Sequence, residues 1–242
     1  MSAPADAPVT ATPQPMGFRD GLTAALPIIV GYFPIAFSFG VSATRAGLTG
    51  GEAVMLSVVI YAGAAQFLAL ALVTSGAPLL VSAVTLIAMN LRHLLYGPAL
   101  LRRAGKEAST RQAWAWAFGL TDEVFGAALG ALARGKRFSE PMMFGLGLGA
   151  YAAWVSGTAV GALAGGGALA AYPALDAGLG FMLPALFLAL LLSVLSRVQI
   201  PTIVVAAGAT IAGTVWIDGT AGILCGMVAG ALTGVLRRPH AS

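Results

Sequence analysis

Three polar residues stand within four positions of one another in "MNLRHLLYG", residues 89–97: Asn90, Arg92 and His93. The stretch before them, "LLVSAVTLIA", is close to pure hydrocarbon. A second polar knot, Thr121, Asp122 and Glu123, lies in "FGLTDEVF". These are groups that pair, hold or relay charge. A guanidinium fork matches a carboxylate in a bidentate pair. An acid beside a histidine can exchange a proton near neutral pH. In an apolar segment each such group is costly unless it is paired or hydrated. The residue types and their setting point to a substrate or proton pathway.

The setting is a membrane. Of 242 residues, 58% are hydrophobic and only 9% are charged, against about 25% charge in a soluble domain. The apolar runs are long and continuous rather than alternating, which excludes a β-barrel and predicts an all-α integral membrane protein. The net charge of +4 is no sign of nucleic-acid binding, because the basic residues sit in short loops where they set orientation. The single cysteine, Cys225, excludes a disulfide framework within the chain. Residues 1–16 form a Pro/Ala-rich polar tail that reads as disordered, without the pattern of a cleavable signal peptide. Residues 17–238 read as one polytopic membrane transport domain.

Eight apolar segments follow: 21–44, 52–75, 78–101, 113–133, 141–164, 178–196, 198–216 and 219–236. Tight turns at Ser75–Pro78 and Trp216–Gly219 predict hairpins of segments 2 and 3 and of segments 7 and 8. Basic residues cluster at Arg45, at 102–111, at 134–137, at Arg197 and at Arg237 with Arg238. Both loops flanking segment 4 are basic, so a segment 4 that is re-entrant or tilted keeps both on the cytoplasmic side. That arrangement has about seven crossings, an external N-terminus and a cytoplasmic C-terminus. Segment 1 holds Pro27 and Pro34 around Gly31, which predicts a helix broken near Gly31 and Pro34. "GLTAALP" at 21–27 resembles "GLGFMLP" at 178–184, as an internal duplication would. Glycines four apart, at 126/130, 145/149, 157/161 and 222/226/230, predict close helix packing.

On a helical wheel Ser82, Thr85, Asn90, Arg92, His93 and Tyr96 fall within one arc of about 160°. Ala83, Val84, Ile87, Ala88, Leu91, Leu94 and Leu95 lie opposite. The polar arc must look into protein or a water-filled cavity. Arg92 and His93 lie roughly 13–15 Å beyond the Arg102–Arg103 interface, near the midplane of a core about 30 Å thick. Asp122 and Glu123 reach a similar depth from the same loop, so either is a partner for Arg92, and the other is left as a spare acid beside His93. Gln66 and Tyr61 of segment 2 are placed to line the same cavity or to act as interhelical hydrogen-bonding groups.

"GLTGGEAVMLSVVIYAGAAQF", "MNLRHLLYGPAL", "FGLTDEVF" and "LPALFLALL", in that order between Gly17 and Arg238, resemble the AzlC family, the large subunit of bacterial branched-chain amino acid exporters. "NLRH" and "LTDE" are the most specific pieces. The resemblance implies gradient-driven export of valine, leucine or isoleucine, with methionine as a further candidate, across the cytoplasmic membrane. It also implies a small AzlD-like membrane partner subunit. Family members often carry an acid just before the segment 6 proline, where this chain has Gly180, with Asp176 four residues earlier.

An amino acid offers a carboxylate and an ammonium. The exposed N–H groups of a broken segment 1, or Arg92, suit the first, and Asp122 or Glu123 suits the second. The competing reading is a passive channel or pore for small polar solutes. No HExxH, GxSxG, Walker A or metal-ligand spacing is present, so neither an enzyme nor a cofactor is expected.

Overall fold

The computed structural model describes residues 15–105, 108, 110–165, 171–181, 185, 188, 191–192 and 195–237. The polar tail before Pro15 and much of segment 6, including residues 182–184 of the duplicated heptapeptide, lie outside them, as does the Asp176 side chain. The described chain is helical: α1 (Phe18–Ala24), α2 (Leu26–Arg45), α3 (Gly50–Ile60), α4 (Gly63–Thr74), α5 (Leu79–Asn90), α6 (His93–Ala104), α7 (Ala113–Trp116) with a following 3-10 turn (Ala117–Gly119), α8 (Asp122–Ala133), α9 (Glu140–Ala164), α10 (Pro173–Gly180), α11 (Ile200–Trp216) and α12 (Gly219–Leu236). Among the described residues, four helical runs are long and apolar enough to cross a membrane: Leu26–Arg45, Leu79–Ala104, Glu140–Ala164 and Gly219–Leu236. The protein is an all-α membrane protein.

Two compact units form, residues 1–76 with 89–180, and residues 77–88 with 181–242. In the second unit α11 and α12 make the expected antiparallel hairpin. Gly222 sits against Thr210 and Thr214, and Gly226 against Ala206 and Thr210.

In the first unit α9 is the axis, and α1 and α2 run parallel to it. Gly145 meets Phe18 and Leu22, Gly157 meets Phe33 and Ala36, and Gly161 meets Phe37. From the other side Gly21 meets Met142 and Leu146, and Gly40 meets Thr158 and Ala162. Small residues let the two backbones touch. The spacing read as packing in α9 is packing, but Gly126 in α8 faces open space.

The predicted break at Gly31 and Pro34 is absent: α2 is continuous from Leu26 to Arg45, with Pro34 inside it. Its flanking residues Phe33, Ala36 and Phe37 are gripped by α9, and this packing overrides the lost backbone bond. Pro27 instead opens α2 after an interruption at Ala25.

Segment 4 returns to the end of α9 where it starts. The Gln112 N–H donates to Glu140 Oε1 at 2.7 Å, Gly119 touches Gly147, and after the reversal Phe138 packs on Trp116 at 5.6 Å. Segment 2, read as a full crossing, does the same from the opposite end. Descending α3 places Ala53 against Ala162 and Ser57 on Thr158, while α4 climbs back from Gly63, against Trp154, to Leu70, which rejoins Ala53 and Ala162. The arms α3, α4 and α8, of 11 or 12 residues, each span about 16–18 Å, roughly half a bilayer; the first arm of segment 4, residues 113–119, is shorter.

This second reversal changes the parity of the chain. The Ser139 hydroxyl donates to the Met16 carbonyl, so the N-terminal end lies beside the basic 134–137 loop. Arg45 lies at the other end of α9, where Gly165 meets Thr44. The sequence reading put the N-terminus opposite that loop and Arg45 beside it. Single cysteines in a Cys225→Ser background test the correction. Ala46→Cys and Ser75→Cys are expected to react with an impermeant maleimide from one side of the membrane. Ala104→Cys and Lys136→Cys are expected to react only from the other. Labelling of positions 46 and 136 from one side refutes the second reversal.

Candidate functional site

Three chain breaks gather the polar residues of the first unit. α3 ends at Tyr61, whose backbone is left-handed at φ 31° and ψ 50°, and Ala62 is extended before α4 begins. A bulky residue in this region is strained by about 1–3 kcal/mol. The run Leu79–Ala104 is interrupted at Leu91–Arg92, between α5 and α6. Segment 4 breaks between Gly119 and Asp122. There Thr121 caps α8, its Oγ1 accepting from the Val124 N–H at 3.4 Å, and Asp122 and Glu123 fill the first turn, where the positive end of the helix dipole favours them.

The ion pair left open between two acids falls on Asp122. Arg92 Nη2 lies 2.9 Å from Asp122 Oδ2, and the Tyr96 hydroxyl donates to Oδ1. Both Asp122 oxygens are therefore engaged. The Tyr96 ring stacks on Phe125 at 4.7 Å, and its other neighbour is His93, at 5.3 Å. His93 is thus on the Arg92–Asp122 side. The expected proton-sharing of His93 with the spare acid is not what the geometry favours, because the spare acid is held elsewhere.

Glu123 is that spare acid. The Tyr32 hydroxyl of α2 bridges Glu123 Oε2 and Thr121 Oγ1. No lysine, arginine or histidine among the described residues pairs with Glu123. Tyr32 in turn packs edge-on against Trp154 at 5.2 Å. The two hairpin tips meet beside them. Tyr61 and Phe118 face each other at 6.1 Å, and both rest on Tyr151, at 4.9 and 5.7 Å. The Tyr151 hydroxyl donates to the Val58 carbonyl in the last turn of α3.

The polar face read on segment 3 holds although the helix is broken. Ser82 and Thr85 are buried and Asn90, His93 and Tyr96 half-buried, while Val84, Ile87, Leu91, Leu94 and Leu95 are exposed. Arg92, at 46% side-chain exposure, reaches out of the polar group at the break. Two expected pathway residues are occupied in other ways. The Thr85 hydroxyl donates back to the Val81 carbonyl of its own helix. Gln66, fully buried, donates from Nε2 to Ser57 Oγ at 2.8 Å and accepts from Trp154 Nε1 at 2.5 Å, and Ser57 joins Thr158 at 2.7 Å. This chain ties the α3–α4 hairpin to α9. Gln66→Leu is expected to lower the thermal stability of the detergent-purified protein by about 2 kcal/mol, by stranding the Trp154 N–H donor and removing the donor to the Ser57 oxygen. An unchanged unfolding midpoint would show the chain to be dispensable.

Tyr32, Tyr151 and Trp154 were not read from the sequence as site residues. An aromatic with a polar handle in an apolar segment is the signal that marks them, and in Tyr32 it lies between Gly31 and Pro34, which drew attention only as a hinge.

The family model described as AzlC protein matches residues 27–167, which cover α2 through α9 and all of the residues above except the rear part of the chain. The chain belongs to the AzlC family. It is 43% identical over 231 residues to the inner membrane protein YgaZ of Escherichia coli, covering 93% of this chain and 94% of that one. An uncharacterized membrane protein of Archaeoglobus fulgidus is 42% identical over 72% of this chain and 74% of its own. One from Helicobacter pylori is 30% identical over 74% of this chain and 76% of its own. No solved structure matches the chain. The AzlC match ends at the close of α9, so the site lies wholly within the matched region.

Proposed function

We propose that this AzlC-family protein is a secondary transporter that exports branched-chain amino acids, valine, leucine and isoleucine with methionine as a further candidate, across the cytoplasmic membrane. The observation that carries the reading is the meeting of two re-entrant hairpins from opposite ends of α9 at a cluster holding one ion pair and one acid that no described lysine, arginine or histidine pairs with. A structural role needs only the pair. Half-membrane hairpins whose tips enclose charge are the arrangement by which transporters seat a substrate at mid-depth. Asp122 and Arg92 form the fixed framework, and Asn90, His93 and Tyr96 line the break beside them. Gln66 and Thr85 act in this reading as supports rather than as contacts.

The basic residues Arg102, Arg103, Arg134, Lys136 and Arg137 gather at the Glu140 end of α9, which the positive-inside rule assigns to the cytoplasm. The N-terminal end then also lies inside. A small AzlD-like membrane subunit belongs to this reading as its partner.

The test is efflux of preloaded leucine, isoleucine, valine and methionine from cells expressing the chain with and without the small partner. Export that collapses with the gradient is the expected result. Export of none of the four removes the assignment. Flux that persists without a gradient and is unaffected by Asp122→Asn returns the channel reading.

A further inference from the structure

The break at Tyr61–Ala62 sets two opposite partial charges side by side. α3 ends there, with no backbone N–H from beyond the break closing onto its last turn among the described residues, so it presents its negative end. α4, of 12 residues, begins two positions later with no capping side chain and no acidic residue in its first turn, Gly63–Ala65, so it presents its positive end. Thr49, Thr121, Ser139 and Asp218 cap their helices with side-chain oxygens, whereas α4 shares its uncapped start with α2, α6, α7 and α11.

A second observation falls on the same residue. The Tyr61 hydroxyl is the buried side-chain polar atom left without a hydrogen-bond partner among the described residues, in a side chain only 5% exposed. A hydroxyl sealed in this way forfeits a hydrogen bond unless something arrives to supply it. Glu123 is close enough for its charge to act on that hydroxyl, and no lysine, arginine or histidine among the described residues pairs with it. Three aromatic rings, Tyr61, Phe118 and Tyr151, lie against one another around the tip, and their faces attract a cation.

We infer that the α3–α4 break is the seat of an α-amino acid zwitterion, with the ammonium directed to Glu123, the Tyr61 hydroxyl oxygen and the carboxyl end of α3, and the carboxylate directed to the N–H groups opening α4. The inference rests on the transport reading and sharpens it. An α-amino acid carries both charges on one carbon, and the break offers both countercharges within two residues. A primary ammonium has three donors, matched by one carboxylate, one phenol oxygen and one freed carbonyl. Asp122 is the less suited acid, because its charge is already paired with Arg92 and Tyr96 bonds its other oxygen.

The experiment is leucine counterflow into proteoliposomes holding the full chain with its small partner, competed with leucinamide, which lacks the carboxylate, and with 4-methylpentanoate, which lacks the ammonium. In the wild type neither analogue is expected to compete at tenfold the leucine concentration. Tyr61→Phe, which keeps the ring, is expected to raise the leucine KM about tenfold with little change in maximal rate, the size of one hydrogen bond to a charged group. Glu123→Gln is expected to raise it further. A wild-type KM in Tyr61→Phe, or competition by either analogue equal to that of leucine, overturns the seat while leaving leucine transport standing. If Tyr61→Phe fails to insert, the analogue competition on the wild type decides alone. Absence of any leucine counterflow by the wild type overturns the transport reading and the seat with it.

Discussion

Arg92→Ala is expected to abolish leucine export. The guanidinium lies 2.9 Å from Asp122, and its loss leaves that carboxylate with one hydroxyl partner at about half-membrane depth. Breaking a buried pair costs about 3–5 kcal/mol. The cost here falls below that range, because Arg92 and Asp122 are 46% and 27% exposed. The α8 tip, no longer held by the guanidinium, is then free to withdraw from α6. That movement displaces the partners of Glu123, since Thr121 and Glu123 flank Asp122 at the start of the same helix. Efflux of preloaded leucine, normalised to the amount of protein in the membrane, measures the effect. Arg92→Lys keeps the charge but not the fork, so intermediate export is expected. The double variant Arg92→Ala with Asp122→Asn removes both charges. It is expected to recover membrane abundance without export, and recovery of export as well would reduce the pair to scaffolding. Wild-type efflux in Arg92→Ala removes the pair from the mechanism.

The second large effect lies far from any charge. Gly161→Val puts branched bulk where even one methyl group would collide with the Phe37 carbonyl. The obstacle is backbone on a helix held along its whole length, so no side-chain rotation relieves it. Overpacking of about 3 kcal/mol or more is expected, read as a lower unfolding midpoint in detergent and less protein in the membrane. Gly126→Ala is the control. Nothing lies within 4 Å of a methyl group there, and replacing a mid-helix glycine by alanine is expected to stabilise by about 0.5–1 kcal/mol. If both variants unfold alike, glycine-mediated contact between α2 and α9 is not what holds them.

The contrast between those two glycines shows where sequence reading stops. Both belong to pairs four apart, and nothing in the spacing says that one faces a neighbouring backbone and the other faces outward. The same limit separates the two hairpins. Segment 4 advertised its reversal, because two basic loops flank it and cannot both face inward if it crosses. Segment 2 carries no such mark. "VVIYAGAAQF" is apolar on both sides of Tyr61 up to Gln66, without proline or charge, and the break depends on a left-handed tyrosine braced by Tyr151 and Phe118 from elsewhere in the chain. Segment 1 erred the other way. Proline is a visible signal for a broken helix, but α9 holds α2 together across Pro34. The charged residues themselves were legible, since arginine and carboxylate in hydrocarbon must find each other. Which acid Arg92 takes was not, because Asp122 and Glu123 are adjacent in sequence and differ only in which side of the α8 cap they leave from.

The half-length arms have an electrical consequence. Each hairpin covers about half of the insulating layer, so the tips sit near the middle of the transmembrane voltage drop. A unit charge moved from the tips to either face crosses about half the field, worth roughly 1.2 kcal/mol for each 100 mV. A zwitterion travelling the same path carries no net charge and draws nothing from the voltage. Under the transport reading proposed above, any contribution of the membrane potential must therefore enter through some other charge moving in that field, and the tips hold one acid, Glu123, that pairs with no lysine, arginine or histidine among the described residues.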